Sequence, residues 1–205
     1  MSKNIVIASG NKGKLREIEQ VVSPLGFSIT PQTALGITEA DETGLTFVEN
    51  ALIKARHAAT ITQQPALADD SGLEVDYLQG QPGIYSSRYA GANASDSDNV
   101  CKLLQALDGV PEQQRTARFQ CVIVYLRHAN DPTPIICQGS WEGRITTAPA
   151  GENGFGYDPV FYVPSERCVA AELPATTKNK LSHRGKALAA LIEQFKQNPQ
   201  YMPLS

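Results

Sequence analysis

The stretch Pro65-Ala66-Leu67-Ala68-Asp69-Asp70-Ser71-Gly72-Leu73-Glu74-Val75 carries two adjacent carboxylates out of one short apolar run and into a second. The apolar run predicts a buried strand, and Ser71-Gly72 predicts a turn at its end, since Asp, Ser and Gly favour turns for local reasons. Acid is thus held where the chain is otherwise apolar. Carboxylates cluster in this way when a hard divalent cation, or a water to be activated, needs oxygen ligands. Mg²⁺ takes one or two of them together with substrate phosphates.

The elements on either side set the fold class. Upstream, Ile5-Val6-Ile7-Ala8 predicts a buried strand, and Asn11 predicts the cap of a helix over Lys12 to Val22 whose Leu15, Ile18 and Val22 share a face. A capping box from Thr46 to Glu49 opens a second helix running to about Ala59, with Val48, Leu52, Ala55 and Ala59 as its apolar stripe and Lys54 with Asn50 on another face. Downstream, Asp96 predicts the cap of a third helix carrying Val100, Leu103, Leu104 and Leu107. Phe119 to Leu126 and Ile135 to Trp141 read as an antiparallel strand pair. A final helix, capped by Ser182, buries Leu188, Leu191, Ile192 and Phe195. Interleaved strands and helices with a hairpin-like middle give a mixed α/β fold.

Composition narrows the function classes. At 205 residues, with 41% hydrophobic and 19% charged residues, the chain suits one soluble domain over 1–196, with a loose tail over 197–205. A net charge of −3 removes any bulk electrostatic case for nucleic acid. The four cysteines show no C-x-x-C spacing, which argues against zinc and disulfides and fits reduced thiols in the cytoplasm. No run of residues approaches the length of a membrane span.

Two further segments suit a nucleotide. Ser9-Gly10-Asn11-Lys12-Gly13-Lys14 joins the first strand to the first helix, where free N–H groups, glycines and lysines suit a polyphosphate. It is not a Walker A loop, because Leu15 follows the lysine where a hydroxyl is required. Gly154-Phe155-Gly156-Tyr157-Asp158-Pro159 lets backbone approach a planar ring closely, with Phe155 able to lie flat against it. Lys178, His183 and Arg184 supply donors before and within the first turn of the last helix.

Five motifs in register carry a family resemblance: Ala8 to Lys14, Glu42 to Ala51, Ala68 to Leu73, Gly154 to Pro159 and Ser182 to Gly185. In order and spacing they resemble the inosine/xanthosine triphosphate pyrophosphatases, and the likeness runs from about Ile5 to Phe195. The resemblance implies an elongated mixed sheet with flanking helices, two lobes enclosing a nucleotide cleft, and a homodimer. It also implies Mg²⁺-dependent hydrolysis of ITP, dITP and XTP to monophosphate and pyrophosphate, which removes them from the nucleotide pool. Carried over by motif, Ser9, Gly10, Asn11, Lys12, Gly13, Lys14 and Lys54 hold the triphosphate. Glu42 and Asp70 hold magnesium, and Asp70 activates water. Ser71, Phe155, Gly156, Tyr157, Asp158, Lys178, His183 and Arg184 contact the nucleotide, with Lys178 chosen over Lys180 by its distance from His183. If the strand persists through the acids, Asp69 and Asp70 alternate sides, and Asp69 then plays a supporting part. The alternatives are a nucleotide-binding sensor without hydrolysis, which gains little from acids beside phosphates, and an enzyme acting on nucleic acid, which the acidic balance disfavours.

Overall fold

The computed structural model describes residues 3–201. Among the described residues, seven strands form one mixed sheet in the order β2-β1-β3-β4-β5-β6-β7. They are β1 (Lys3–Ile7), β2 (Phe27–Pro31), β3 (Ala66–Val75), β4 (Thr116–Leu126), β5 (Ile135–Ile145), β6 (Phe161–Val163) and β7 (Cys168–Val169). The helices are α1 (Lys12–Val22), α2 (Phe47–Thr62), α3 (Asp96–Ala106), α4 (Ala175–Leu181) and α5 (His183–Gln197). Strand β1 pairs in parallel with both β2 and β3, whereas β6 pairs antiparallel with β5 and β7. No helix among the described residues is long and apolar enough to cross a membrane.

The described residues fall into two units: those up to 70, 121–139 and those from 184 on, and residues 71–120 and 140–183. In the first, strand alternation sorts side chains to two faces. Ile5, Ile7 and Leu67 join Ile18 and Val22 of α1 and Leu188, Leu191 and Phe195 of α5 in one core. Val6, Ala66 and Ala68 join Ala51, Ala55, Ala58 and Ala59 of α2 in another. Both faces are therefore helix-covered, which is why Cys121 to Leu126 of β4 are buried without interruption. Each fully buried Leu or Ile contributes about 1.5–3 kcal/mol.

In the second unit Leu73, Val75, Leu103, Leu107, Phe119, Trp141 and Phe161 form the core. Here β4 alternates, with Ala117 and Phe119 buried and Thr116, Arg118 and Gln120 facing away. That outer face carries a polar lattice in which Arg118 donates to Asp76 at 2.8 Å and to Glu142 at 3.0 Å.

Several expectations need correction. Ser71-Gly72 makes no turn, because β3 runs unbroken from Ala66 to Val75 and pairing in the sheet overrides the local preference. Ser95, not Asp96, caps α3: its side chain accepts from Asp98 N–H, and Asp98 returns the bond in a capping box. The buried stripe of α2 is Asn50, Ala51, Ala55, Ala58 and Ala59, with Val48 and Leu52 at its margins, because small residues let the helix lie close on the sheet. Strands β2, β6 and β7 and helix α4 were not expected. The Cys168 to Thr177 region holds β7 and the start of α4. Of the tail, Tyr201 packs edge-on to Tyr125 at 6.0 Å, while residues 202–205 lie outside the described residues. All four cysteines are free thiols.

Candidate active site

The alternation of β3 decides what its two acids do. Asp69 shares the side of Leu67, toward α1 and α5, and Asp70 that of Ala68, toward α2. Asp69 Oδ2 lies 3.0 Å from Lys14 Nζ of α1 and 3.2 Å from Arg184 Nη2 of α5. Arg184 Nη1 also donates to Glu17 at 2.5 Å. Burial alone would raise the Asp69 carboxyl, but the charges of Lys14, Arg184 and Lys54 outweigh it and hold the group well below the usual carboxylate range.

Asp70 serves a different cation. Its Oδ1 accepts from Lys54 Nζ at 2.7 Å, and the same ammonium donates to Glu42 Oε1 at 2.8 Å. Asp70 Oδ2 is buried with no hydrogen-bond partner among the described residues. Desolvation raises the Asp70 carboxyl above its ordinary value, Lys54 opposes this, and Glu42 adds to it. Glu42 is brought there by a loop fastened to α2. Asn50 Oδ1 accepts from Gly44 N–H at 2.8 Å, and Glu49 Oε2 accepts from Leu45 N–H at 2.9 Å. A Cβ on Gly44 would stand 2.5 Å from Glu49 Cβ, so only glycine allows this approach.

The residues fit a hard divalent cation. Two carboxylates converge on one positive charge, and one of their buried oxygens is unpaired. No group of three or more His, Cys, Asp or Glu ligands occurs among the described residues, so phosphate and water oxygens would complete the sphere, as is usual for Mg²⁺.

The β1–α1 loop stands as expected. Asn11 caps α1, its Oδ1 accepting from Gly13 N–H at 2.9 Å and Lys14 N–H at 3.1 Å, and Ser9 Oγ accepts from Asn11 N–H at 3.2 Å. Lys12 is exposed at the start of the helix.

In the second unit the glycine-aromatic loop is held by two aspartates. Asp158 Oδ2 accepts from Phe155 N–H at 2.9 Å and from Lys178 Nζ at 2.5 Å, and that ammonium lies 5.0 Å from the Phe155 ring centroid. Gly154, at φ +82°, leaves room for this, since a Cβ would fall 2.1 Å from Asp158 Oδ2. Gly156 N–H donates to Asp96 Oδ2 at 2.7 Å. Tyr157 is buried, donating to the Ser86 carbonyl at 2.7 Å, while Ser86 Oγ accepts from Leu73 N–H at 2.8 Å. Ser71 lies half-buried on β3. Buried His183 stacks on Phe119 with centroids 4.8 Å apart.

The structure therefore gathers Lys14, Glu42, Lys54, Asp70 and Arg184 with Asp69 in one unit, and Phe155, Gly156, Asp158 and Lys178 in the other. Arg184 is only 2% exposed and engages carboxylates, so it is placed to hold Asp69. Sequence reasoning missed Asn50, Asp96 and Ser86 as site supports. The one available signal was that Asn50 shares a helix face with Lys54. Asp96→Ala is expected to raise KM for a nucleoside triphosphate about 5-fold with kcat little changed, from loss of about 1 kcal/mol of hydrogen bonding. Steady-state kinetics checks this.

The sequence model of the Ham1 family matches residues 5–194. The chain belongs to the Ham1 family. Among relatives, a dITP/XTP pyrophosphatase of Vibrio cholerae is 60% identical over 195 residues, covering 95% of this chain and 98% of that protein. One of Escherichia coli is 57% identical over 194 residues, covering 95% and 98%. A solved Ham1 protein from Coxiella burnetii superposes with a TM-score of 0.89 at 50% identity, covering 95% of this chain and 99% of that one. Ham1 membership thus extends over both units.

Proposed function

We propose that this Ham1 protein hydrolyses ITP, dITP and XTP to the monophosphate and pyrophosphate. The observation that carries the reading is the convergence of Glu42 and Asp70 on Lys54, a pairing of acid and amine suited to a metal-bound polyphosphate. The dITP/XTP pyrophosphatase names of relatives near 60% identity support the substrate class. A sensor that only binds would gain little from acids beside phosphates.

Glu42 and Asp70 would hold Mg²⁺, which when bound offsets phosphate charge and favours departure of pyrophosphate. Lys14, Lys54 and the N–H groups of the Ser9 to Lys14 loop hold the phosphate chain. Each unit charge pair at 4 Å is worth about 4 kcal/mol at an effective dielectric of 20, before desolvation. Asp70 Oδ2 takes a proton from water as its oxygen bonds to the α-phosphorus and the bond to the bridging oxygen of pyrophosphate breaks.

Phe155 stacks on the purine. Lys178, fixed by Asp158, donates to the oxygen at position 6, where adenine would present an amino group at a mismatch of roughly 1–3 kcal/mol. Guanine shares that oxygen, so its rejection falls to position 2. Ser71, Gly156, Tyr157 and His183 shape this part of the site, and Arg184 acts through Asp69. Homodimer assembly and a cytoplasmic setting belong to the same reading.

Incubation with Mg²⁺ and ITP, dITP, XTP, ATP or GTP is expected to release pyrophosphate from the first three at rates at least about 10-fold above the last two. Orthophosphate as the product would make the protein a γ-phosphatase and sink the proposal. Loss of turnover in chelator, restored by Mg²⁺, tests the metal.

A further inference from the structure

Asn50 of α2 is fully buried, yet only one end of its amide is matched. Oδ1 accepts from Gly44 N–H at 2.8 Å, while Nδ2 is buried with no hydrogen-bond partner among the described residues. The chemistry fixes this orientation, since Gly44 N–H is a donor and must meet the amide oxygen. A buried donor without an acceptor is costly and rare in native proteins.

The neighbours say what would satisfy it. Lys54 follows one helical turn later, and a helical side chain covers the turn N-terminal to its own Cα, so the Lys54 stem runs back over the turn that carries Asn50. Gly44 lies two residues from Glu42, whose carboxylate meets that ammonium. An ammonium has no acceptor to offer an NH₂ group. The nearby Asp70 Oδ2 is itself unpaired, so it does not satisfy the amide either. An anion beside Lys54 supplies both the missing acceptor and the matching charge.

We propose that Asn50 Nδ2 donates to an anionic oxygen of the bound triphosphate, making Asn50 a substrate-binding residue as well as the fastening of the Glu42 loop. This rests on the reading of Lys14, Lys54, Glu42 and Asp70 as the polyphosphate site. Asn50→Asp separates the two roles, because it keeps an acceptor for Gly44 at nearly constant shape and replaces the donor by an oxygen.

The test measures binding of inorganic pyrophosphate with Mg²⁺ by calorimetry, beside thermal melting and ITP kinetics. Expected for Asn50→Asp is a folded protein with a lowered melting temperature, since a buried carboxylate joins Glu42 and Asp70, together with a fall in pyrophosphate affinity of about 10-fold or more and a matching rise in KM with a smaller change in kcat. Affinity equal to the wild type, or a fall in kcat alone, would overturn the proposal. Should the variant not fold, the Asn50 side-chain NH₂ signals of the wild type decide. They are expected to shift when pyrophosphate is added, and signals that stay fixed overturn the assignment. Wild-type protein that binds no pyrophosphate would remove the polyphosphate reading itself, and this inference with it.

Discussion

Asp70→Asn is expected to lower kcat by about 10²–10⁴-fold while the protein stays folded. The substitution holds volume nearly constant and removes one anionic oxygen, and Lys54 keeps Glu42 as a partner at 2.8 Å. On the proposed mechanism two losses coincide: a metal-ligating charge, and the base that takes the proton from water. Turnover of ITP, followed by pyrophosphate release and set beside the circular dichroism melt, gives the answer. Near-normal kcat would remove Asp70 from its role, and a collapsed melt would mean that the acid serves stability instead.

Asp69→Asn should act through stability first. Asp69 is almost wholly excluded from solvent and faces Lys14 and Arg184, the latter only 2% exposed. Breaking a buried ion pair from one side typically costs about 3–5 kcal/mol, because the remaining charge is stranded. For a chain of this size that corresponds to a melting temperature lower by roughly 10 °C. Glu17 still answers Arg184, so the lower end of the range is expected.

The same acid predicts a pH dependence. Its folded-state carboxyl is held below the unfolded value of about 3.9. Its contribution is therefore complete above that value and is lost as pH falls below it. Wild-type melting temperature should fall as pH drops below about 4, and the fall should be smaller in Asp69→Asn. Equal slopes would show that Asp69 carries none of the acid sensitivity. Asp131, held low by hydrogen bonds from Arg127, accounts for part of what remains in both proteins.

Much of this fold was legible because local and tertiary preferences agreed. Asn11 caps α1, Thr46 caps α2, and the apolar spacing of Leu188, Leu191 and Phe195 marks the buried side of α5. Where the two disagreed, tertiary pairing won: Ser71-Gly72 has turn chemistry yet lies inside β3. Ser95 was overlooked because Asp96 is an equally good cap by residue type, and only the return bond from Asp98 separates them. Strands of two or three residues, such as β6 and β7, are too short to show a period.

The candidate site divides in the same way. Charged residues within motifs could be named from sequence, and Glu42, Lys54 and Asp70 do meet. What sequence could not give was which partner each charge has. Arg184 looks like a free donor in the chain but is wrapped by Asp69 and Glu17, from segments over a hundred residues away. Asp96 reaches Gly156 across 60 residues, a link that no local pattern announces.

Neighbouring acids on opposite sides of one strand leave that segment intolerant of insertions and deletions. Losing a single residue between Ala66 and Asp69 would rotate the frame, turning the carboxylate proposed to activate water toward α1 and α5 and the one that binds Lys14 and Arg184 toward α2. Both jobs would then fall to the wrong partners, although every amino acid needed for them was still encoded.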